Sequence, residues 1–461
     1  MEKEIRNADL SDIMCDLLYL LGCGVNGKMP AKTYIKTFQK VYDEDKMQML
    51  YQFSKVHFVD ALTGTVLKNA GIKILPVWEQ SIAKAIRKVI LFDQERAEIF
   101  SYMEEQGIWH MPLKGVILKE FYPSIGMRQM SDNDILFDKA YAKQIRDYMV
   151  SRGYEVEAFD QGNHDVYEKE PVYNFEMHTS LYGAGHNKEW VNYYDWIKDR
   201  LIPGEGGLEY HFSYEDFYVY IMTHTFKHFE EGGTGIRSLL DQYVYLNQLE
   251  DALDFRYIEK QCEILGIADF EKENRVLCKK VFRMNNTLVE EGTERFRYTL
   301  STEEKRLLCY YMTSGAYGTT ERRVVNNMSQ YRKKDGSISK AAYVLKRLFP
   351  GKEHYDYCPA LKKHHWLLPF YWVYRVFRMI FSEERRSRIL QEISIVKKIR
   401  QDEYDGKRTY QYPGNGCLTN VGQFFVISLI CRFAAICHIF SNMRLFAIPN
   451  KKRYNKKLRL K

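Results

Sequence analysis

The spacing of apolar residues changes twice along this chain, and these changes limit the fold more than any other feature. Residues 8–105 carry apolar side chains at helical spacing, as in KMQMLYQFSKVHFVDAL, without strand-like alternation. Short extended segments dominate from 107 to 182, and helical spacing returns from Ser213 onward. The sequence therefore predicts an α+β protein in which a small mixed sheet is flanked by helical regions.

The strand-dense stretch alternates candidate strands with candidate helices. The segments with strand character are IWHMPL, DNDILF, YEVEAF, HDVYEKE and VYNFEMHTSLY. KGVILKEFYP is typical of a helix ended by Pro123, and AYAKQIRDYMVSRGY is typical of an amphipathic helix closed at Gly153. These elements are close enough in sequence to build one compact α/β unit.

A chain of 461 residues is too long for one ordinary domain. We find no internal repeat and no low-complexity segment other than a basic tail. In chain order we predict an N-terminal helical region (1–105), an α/β core (106–185), a helical region that completes a cleft (206–315), a C-terminal helical section (316–405) and a basic, apolar accessory tail (406–461).

The net charge of +8 arises in the tail. No acidic residue follows Asp405, whereas eleven Lys and Arg residues lie from Lys407 to Lys461, and subtracting them leaves residues 1–406 at about −3. The body of the protein therefore lacks the excess of base that is typical of nucleic-acid binders. A nucleic-acid partner is not expected.

The tail contains one long apolar segment, VGQFFVISLICRFAAICHIF (421–440). Its length approaches the roughly 20 residues that span a bilayer. Arg432 lies in its middle, where a cation costs at least about 2.5 kcal/mol on insertion. Apolar and cationic residues together favour a helix at a membrane surface or on a protein. We expect the tail to make peripheral contact with an anionic membrane or a protein partner.

Cysteine usage and the first residues both bear on the compartment. The nine cysteines are odd in number and form no CxxC motif, which favours free thiols in a reducing compartment. The segment MEKEIRNADLSDIM lacks the basic start and apolar run of a signal peptide. Both features predict a cytoplasmic protein.

Asp132 and Asp134 lie two residues apart on a predicted strand. Side chains at this spacing share one face, with Cα atoms roughly 6–7 Å apart. Two converging carboxylates bind hard divalent cations through oxygen, and two-metal phosphoryl transfer needs such a pair. A solvated turn is the alternative for an isolated DxD, and the surrounding residues favour the metal site.

A set of phosphate-binding candidates precedes this pair. Lys114 and Gly115 lie at a predicted strand-to-helix junction, where a glycine allows a phosphate to approach the backbone. Lys114 and Arg128 supply cations for the phosphates of a nucleotide. A solvated lysine at a helix start is the alternative interpretation for Lys114.

Glu176 is the candidate for a third carboxylate. In the segment NFEMH, Asn174, Glu176 and His178 alternate onto one strand face. A carboxylate on a neighbouring strand could complete the metal site and act on an attacking hydroxyl. Other acidic residues on nearby extended segments remain alternatives, namely Asp160, Asp165, Glu168 and Glu170.

The order of these motifs resembles that of the DNA polymerase β-like nucleotidyltransferase superfamily. A glycine-bearing helix start is followed by a DxD strand and then by a third carboxylate on a later strand. The resemblance implies a small polymerase β-like core that transfers a nucleoside monophosphate (NMP) from a nucleoside triphosphate (NTP) to a hydroxyl acceptor, with Mg²⁺ (or Mn²⁺) and release of pyrophosphate. It implies Asp132, Asp134 and Glu176 as metal-binding residues.

A narrower resemblance is to a family of bacterial uncharacterised nucleotidyltransferases. It covers roughly residues 80–400 and is strongest over 107–182. The motifs that carry it are LKG (113–115), the arginine and aspartates of R…DxD (Arg128, Asp132, Asp134), ExH (Glu176, His178) and HxxxH (His224, His228).

Two positions depart from the superfamily pattern. Gly115 is followed by Val116 instead of a second small residue, a feature that the narrower family shares. Asn133 lies between the aspartates, where the superfamily prefers an apolar residue, and a buried Asn needs hydrogen-bond partners. The alternative hypotheses are a catalytically weak or inactive protein that binds a nucleotide or partner, and an enzyme that modifies (AMPylates) a protein or RNA.

Two further pairs have helical i, i+4 spacing. His224 and His228 could bind zinc, but neither a further ligand nor an HExxH motif accompanies them. A structural pair, or one wall of the nucleotide cleft, is the favoured interpretation. Arg237 and Asp241 are expected to form an ion pair on the next helix.

Overall fold

The computed structural model describes most of the chain. The described residues are 2–183, 185–283, 287–289, 296–329, 339–349, 361 and 363–398. They divide into two compact units, Met1–Arg323 and Val324–Lys461. The predicted tail at 406–461, including 421–440, lies outside the described residues.

The first unit is mainly helical. Its helices are α1 (Glu2–Val25), α2 (Lys32–Val41), α3 (Glu44–Val56), α4 (Asp60–Asn69), α5 (Pro76–Glu105), α6 (Gly115–Leu118), α7 (Ala142–Ser151), α8 (Lys188–Tyr194), α9 (Tyr214–Glu231), α10 (Ile236–Leu249), α11 (Phe255–Ile264), α12 (Ala268–Phe282), α13 (Thr302–Ser314) and the start of α14 (Thr320–Ser329). The helical region predicted before residue 106 is confirmed by α1 to α5.

One five-stranded sheet lies within this unit. Its strands are β1 (His110–Pro112), β2 (Asn133–Phe137), β3 (Glu155–Ala158), β4 (His164–Lys169) and β5 (Tyr173–His178). The spatial order is β1-β2-β5-β4-β3; β2 and β5 are parallel, and the other neighbours are antiparallel. Each strand coincides with a segment predicted from the sequence, which confirms the α+β class with its small mixed sheet.

One face of the sheet packs into the hydrophobic core and is here called the core face. Ile135 and Phe137 of β2 and Phe175 and Met177 of β5 are fully buried there. They pack against α5 and α7, and each such side chain contributes roughly 1.5–3 kcal/mol on burial. The residues of this cluster from the two helices are Ile99, Met103, Ile145 and Met149.

The opposite face, here called the site face, carries the alternate residues. On β2 this set includes Asp134, and on β5 it includes Glu176 and His178. The polar alternation that the sequence shows in NFEMH is therefore a real division between core and site faces.

Two short hairpins were not predicted. They are β6 (Ile202–Pro203) with β7 (Tyr210–His211), and β8 (Thr287–Val289) with β9 (Phe296–Tyr298). Strands of two or three residues are too short to show a period of two, so pattern analysis does not detect them.

The second unit is described only in part. Its helices are the remainder of α14, then α15 (Lys340–Leu348), α16 (Leu368–Phe381) and α17 (Glu383–Lys398). One of its buried clusters consists of Val324, Met328, Tyr343, Ile395 and Val396. The five-region division of the chain stays a prediction.

Two observations bear on the expected compartment. Among the described helices, none combines the length and the apolar character that crossing a bilayer requires. The cysteines within the described residues are free thiols, namely Cys15, Cys23, Cys262, Cys278 and Cys309. The cytoplasmic location stays a prediction.

Candidate active site

The carboxylates predicted from the sequence converge at one place on the site face. Asp134 of β2 lies directly opposite Glu176 of β5, because these two strands pair in parallel. Asp132 comes immediately before β2, half-buried, and accepts a hydrogen bond from Ser131 Oγ at 3.0 Å. The strand predicted to hold both aspartates therefore begins one residue after Asp132.

The end of β1 delivers a lysine to this group. The Leu113 backbone N–H donates to the carbonyl of Asp134 at 2.9 Å, so the chain leaves β1 beside the carboxylates. Lys114 follows with φ 48° and ψ −114°, a conformation that an L-residue adopts only at a cost in free energy. This backbone aims the Lys114 side chain at Asp134, with Nζ 2.6 Å from Oδ1.

Asp134 is buried, and one of its carboxylate oxygens has two hydrogen-bond partners. Its Oδ1 accepts from Lys114 Nζ and, at 2.9 Å, contacts His178 Nε2. Burial alone would raise the pKa of Asp134, but the positive charge of Lys114 and the hydrogen bond from His178 hold it well below its usual range. Asp134 is therefore an anion in the folded protein.

Glu176 behaves in the opposite way. Burial, together with the negative charges of Asp134 and Asp132, raises the pKa of Glu176 to about 8. Three carboxyl groups thus lie close enough to repel one another. A cation placed among them would relieve this repulsion.

Two histidines adjoin Glu176 on the site face. His178 is on the same strand, and His164 lies opposite it on β4 with ring centroids 4.8 Å apart. Burial and the nearby positive charges lower the pKa of His178, and lower that of His164 to about 3. Both rings are therefore neutral at physiological pH.

Helix α9 supplies the opposing wall. His224 and His228 face each other with their Nε2 atoms 3.2 Å apart. Burial and the charge of Lys114 lower the pKa of His224 and of Lys227. The charges of Lys114, Asp134 and Glu176 also act on Tyr220. The side chains of Tyr220, His224 and Lys227 on α9 are therefore close enough to Lys114 to interact with its charge.

Arg128 forms a buried ion pair with Asp241, and the charge of Asp132 also acts to raise its pKa. Its Nε and Nη2 each donate to a carboxylate oxygen of Asp241 at 2.9 Å, and Tyr122 Oη donates to the same carboxylate at 2.7 Å. A methyl group on Gly115 would collide with the guanidinium of Arg128. Gly115 therefore makes room for Arg128, and its φ is not in the left-handed region.

The expected ion pair between Arg237 and Asp241 is not formed. Both carboxylate oxygens of Asp241 accept from Arg128, while Arg237 donates to the Gln129 carbonyl and lies over the Phe58 ring. Asp241 points into the core, where the buried guanidinium offers two parallel hydrogen bonds.

Asn133 lies on the core face, away from the carboxylates. It is fully buried, and Arg96 of α5 donates to its Oδ1 at 3.1 Å. Its Nδ2 has no hydrogen-bond partner among the described residues. The residue that departs from the superfamily pattern is therefore held by α5 and does not enter the site.

The structure brings together Asp132, Asp134, Glu176 and Lys114, whereas Arg128 contacts Asp241. Among the alternatives to Glu176, Asp165 lies on the core face and accepts from the Asp160 backbone, and Glu168 is exposed two residues further along the sheet. Sequence reasoning missed His164, Lys227 and Tyr220. The only signal was HTFKH, where Lys227 follows His224 at i+3.

A comparison with protein families identifies one to which this chain is similar. The profile of the family described as uncharacterised nucleotidyltransferase matches residues 43–283, just over half of the chain. This range begins in the N-terminal helices, includes the whole five-stranded sheet and continues to α12. No curated protein and no solved structure matches the chain.

Proposed function

This chain belongs to the uncharacterised nucleotidyltransferase family, and from that premise we propose that it transfers an NMP from an NTP to a hydroxyl acceptor with release of pyrophosphate. We place its core in the polymerase β-like superfamily. The observation that carries the proposal is the parallel pairing of β2 and β5, which sets Asp134 beside Glu176 with Asp132 next to them.

The residues fit a divalent cation. Asp132, Asp134 and Glu176 offer hard oxygen ligands, and burial together with the negative charges of Asp134 and Asp132 raises the pKa of Glu176. We propose that these residues hold Mg²⁺ (or Mn²⁺), which when bound neutralises phosphate charge and favours the ionised acceptor hydroxyl. Lys114 forms the ion pair with Asp134 in the metal-free protein.

A cationic wall faces the carboxylates and supports a triphosphate site. Lys114 reaches in from the end of β1, while Lys227 lies on α9 between His224 and His228. Burial, together with repulsion by Lys114, lowers the pKa of Lys227, and anionic phosphate oxygens would offset that repulsion. We propose that Lys114 and Lys227 bind phosphates and that the backbone at Gly115 lies alongside. The phosphate role of Arg128 stays a prediction.

The position of Asn133 favours a catalytically active protein over the alternative of an inactive nucleotide-binding protein. Its side chain is on the core face, so the site-face geometry of the aspartates does not depend on it. The acceptor hydroxyl belongs to a small molecule, a protein or RNA. Transfer of AMP to a protein or RNA (AMPylation) is the alternative to a small-molecule acceptor.

The experiment is transfer of label from α-labelled NTPs in the presence of Mg²⁺. Each NTP is tried against small-molecule pools, lysate proteins and RNA, and Mg·NTP binding is measured by calorimetry in parallel. Metal-dependent label transfer with pyrophosphate release supports the proposal. Binding without transfer to any pool would instead favour the nucleotide-binding alternative.

Cation binding should release a proton below about pH 8. Glu176 has a pKa of about 8 in the metal-free protein and must ionise to bind a metal. We expect the Mn²⁺ affinity to rise about tenfold per pH unit from pH 6 to 8 and then level off. Calorimetry in buffers of different ionisation enthalpy measures the released proton.

Glu176→Gln should abolish this pH dependence, whereas Glu168→Gln, on the exposed part of β4, should keep it. The effect of pH on the stability of the folded protein has the opposite sign. Because its pKa is raised, Glu176 adds to the free energy of unfolding below its ordinary pKa, and this contribution is lost as pH rises through about 8. In chelator above pH 8, Glu176→Gln should therefore be more stable than wild type. A flat Mn²⁺ affinity from pH 6 to 8 would contradict the assignment.

A further inference from the structure

Two histidines and one glutamate present ligand atoms to a common point on the site face. Glu176 Oε2 lies 3.8 Å from His164 Nε2 and 3.8 Å from His178 Nε2. The ligand atoms of all three lie within 4.8 Å of one another. Two atoms bound at about 2.1 Å to one ion are at most about 4.2 Å apart, so a small rotation of one ring closes the set.

The hydrogen bonds of Asn163 fix the His164 ring in a form suited to bind metal. Asn163 Nδ2 donates to the carbonyls of Ser180 and Leu181, at 3.2 and 3.1 Å, so its Oδ1 is the atom turned to His164. His164 Nδ1 lies 3.3 Å from this oxygen and must be the protonated nitrogen. Nε2 therefore carries the lone pair, and this nitrogen lies 3.8 Å from Glu176 Oε2.

No hydrogen bond reaches His164 Nε2 from the described residues, and 3.8 Å to Glu176 is too long for one. The lone pair of a neutral imidazole thus lies 3.8 Å from a carboxyl oxygen. A metal ion satisfies both atoms at once. The second nitrogen of His164, held by an amide oxygen, is the orienting contact that metal-binding histidines usually have.

We propose that His164, Glu176 and His178 bind a divalent transition-metal ion of the zinc class. Imidazole nitrogen favours such ions over Mg²⁺, which prefers oxygen ligands. Three protein ligands leave at least one coordination position open, as in catalytic rather than structural sites. The chemical class of ligand at the open position is water or an oxygen of the nucleotide or acceptor.

His178 reaches the metal by changing its tautomer. Its Nε2 now donates to Asp134, so binding through Nε2 moves the proton to Nδ1 by way of solvent, and the ring stays neutral. Once protonated, Nδ1 faces Asn163 Nδ2, also a donor, at 3.5 Å, so the small ring rotation that closes the ligand set must also move these two donors apart. The exchange also frees Asp134 Oδ1 from one donor.

The proposed transition-metal site rests on the proposed function in that it shares Glu176 with the proposed nucleotidyl-transfer site. Binding of the transition metal does not require turnover. Transfer activity that fails while the metal still binds would overturn the proposed function alone. Transfer in Mg²⁺ with no transition-metal site would overturn this inference alone.

The test is metal binding by the full chain, stripped with a chelator and dialysed. Co²⁺ is titrated as the spectroscopic probe, because nitrogen ligands in a low-coordinate site give visible absorption bands, and Zn²⁺ and Mg²⁺ are titrated by calorimetry. We expect one Co²⁺ per chain and tighter binding of Zn²⁺ than of Mg²⁺ by at least about tenfold. His164→Ala should weaken Co²⁺ binding by at least about a hundredfold, since even outer contacts change metal affinity by about 10–100-fold.

Matched histidine variants act as controls. His211→Ala, on the edge hairpin, and His224→Ala, on α9, should bind Co²⁺ as wild type does. Asp132→Asn should keep the visible bands. His164→Gln replaces His164→Ala if the latter fails to fold, as judged by circular dichroism. Unchanged Co²⁺ binding in the His164 variant, loss of binding in His224→Ala, or equal affinities for Zn²⁺ and Mg²⁺ would each overturn the proposal.

Discussion

Asp132→Asn is expected to lower the rate of NMP transfer by about a thousandfold or more. The change removes one negative charge from the group that holds the divalent cation while keeping side-chain volume, and a thousandfold loss corresponds to about 4 kcal/mol of transition-state stabilisation. Asp132 is half-buried and hydrogen-bonds to Ser131, so the fold should persist. Initial rates of label transfer and calorimetry of Mg·NTP binding measure the effect.

Asp134→Asn should be equally damaging to transfer and should also destabilise the protein. Lys114 would then be a largely buried cation without its anion, and breaking such a pair costs about 3–5 kcal/mol. Asp165→Asn is the matched control, because Asp165 belongs to the same sheet but lies on the core face. Equal Mg·NTP binding by wild type and by the Asp132→Asn, Asp134→Asn double variant would refute the site assignment.

The order of local elements could be predicted from the sequence because local patterns specify them. Alternation in VYNFEMHTSLY and the closing Gly153 after α7 depend only on neighbouring residues. The placement of Glu176 on one face with His178 follows from the same alternation. These predictions needed no knowledge of which strands pair.

Strand pairing itself could not be predicted in this way. β2 pairs with β5 although β3 and β4 lie between them in sequence, and this crossover is what sets Asp134 beside Glu176. The contributions of His164 and Lys227 depend on contacts between segments distant in sequence. A residue pattern within one segment holds no information about such contacts.

The ion pair of Arg128 is another contact that a local residue pattern does not predict. Its position before the DxD motif predicts a phosphate contact, which stays a prediction. That position does not reveal its ion-pair partner Asp241, which lies 113 residues further along the chain. Only the packing of α10 against the segment after α6 reveals that pair. The sequence predicts that Gly115 lets a phosphate approach the backbone, and this stays a prediction. The sequence does not reveal that a Cβ at this position would collide with Arg128.

Arg128→Ala should lower the free energy of unfolding by about 3–5 kcal/mol, because it leaves the buried carboxylate of Asp241 without its cation. Asp241→Asn should have a similar effect, because the buried guanidinium of Arg128 then lacks its anionic partner. Urea unfolding followed by circular dichroism measures both changes. Replacing the pair together by apolar residues, Arg128→Met with Asp241→Leu, should recover most of the loss, since no buried charge then remains unpaired.

The exposed pair of Arg146 and Asp147 supplies the control for this prediction. Arg146→Ala removes an arginine from a solvated ion pair and should cost at most about 1 kcal/mol. The Asp241→Asn variant distinguishes a structural role of Arg128 from a phosphate-binding role. If Arg128 acts through the fold, the urea midpoint of this variant falls although the arginine is retained. An unchanged midpoint in Arg128→Ala, with Mg·NTP affinity reduced tenfold or more, would instead assign Arg128 to the phosphates, as its position in the motif predicted.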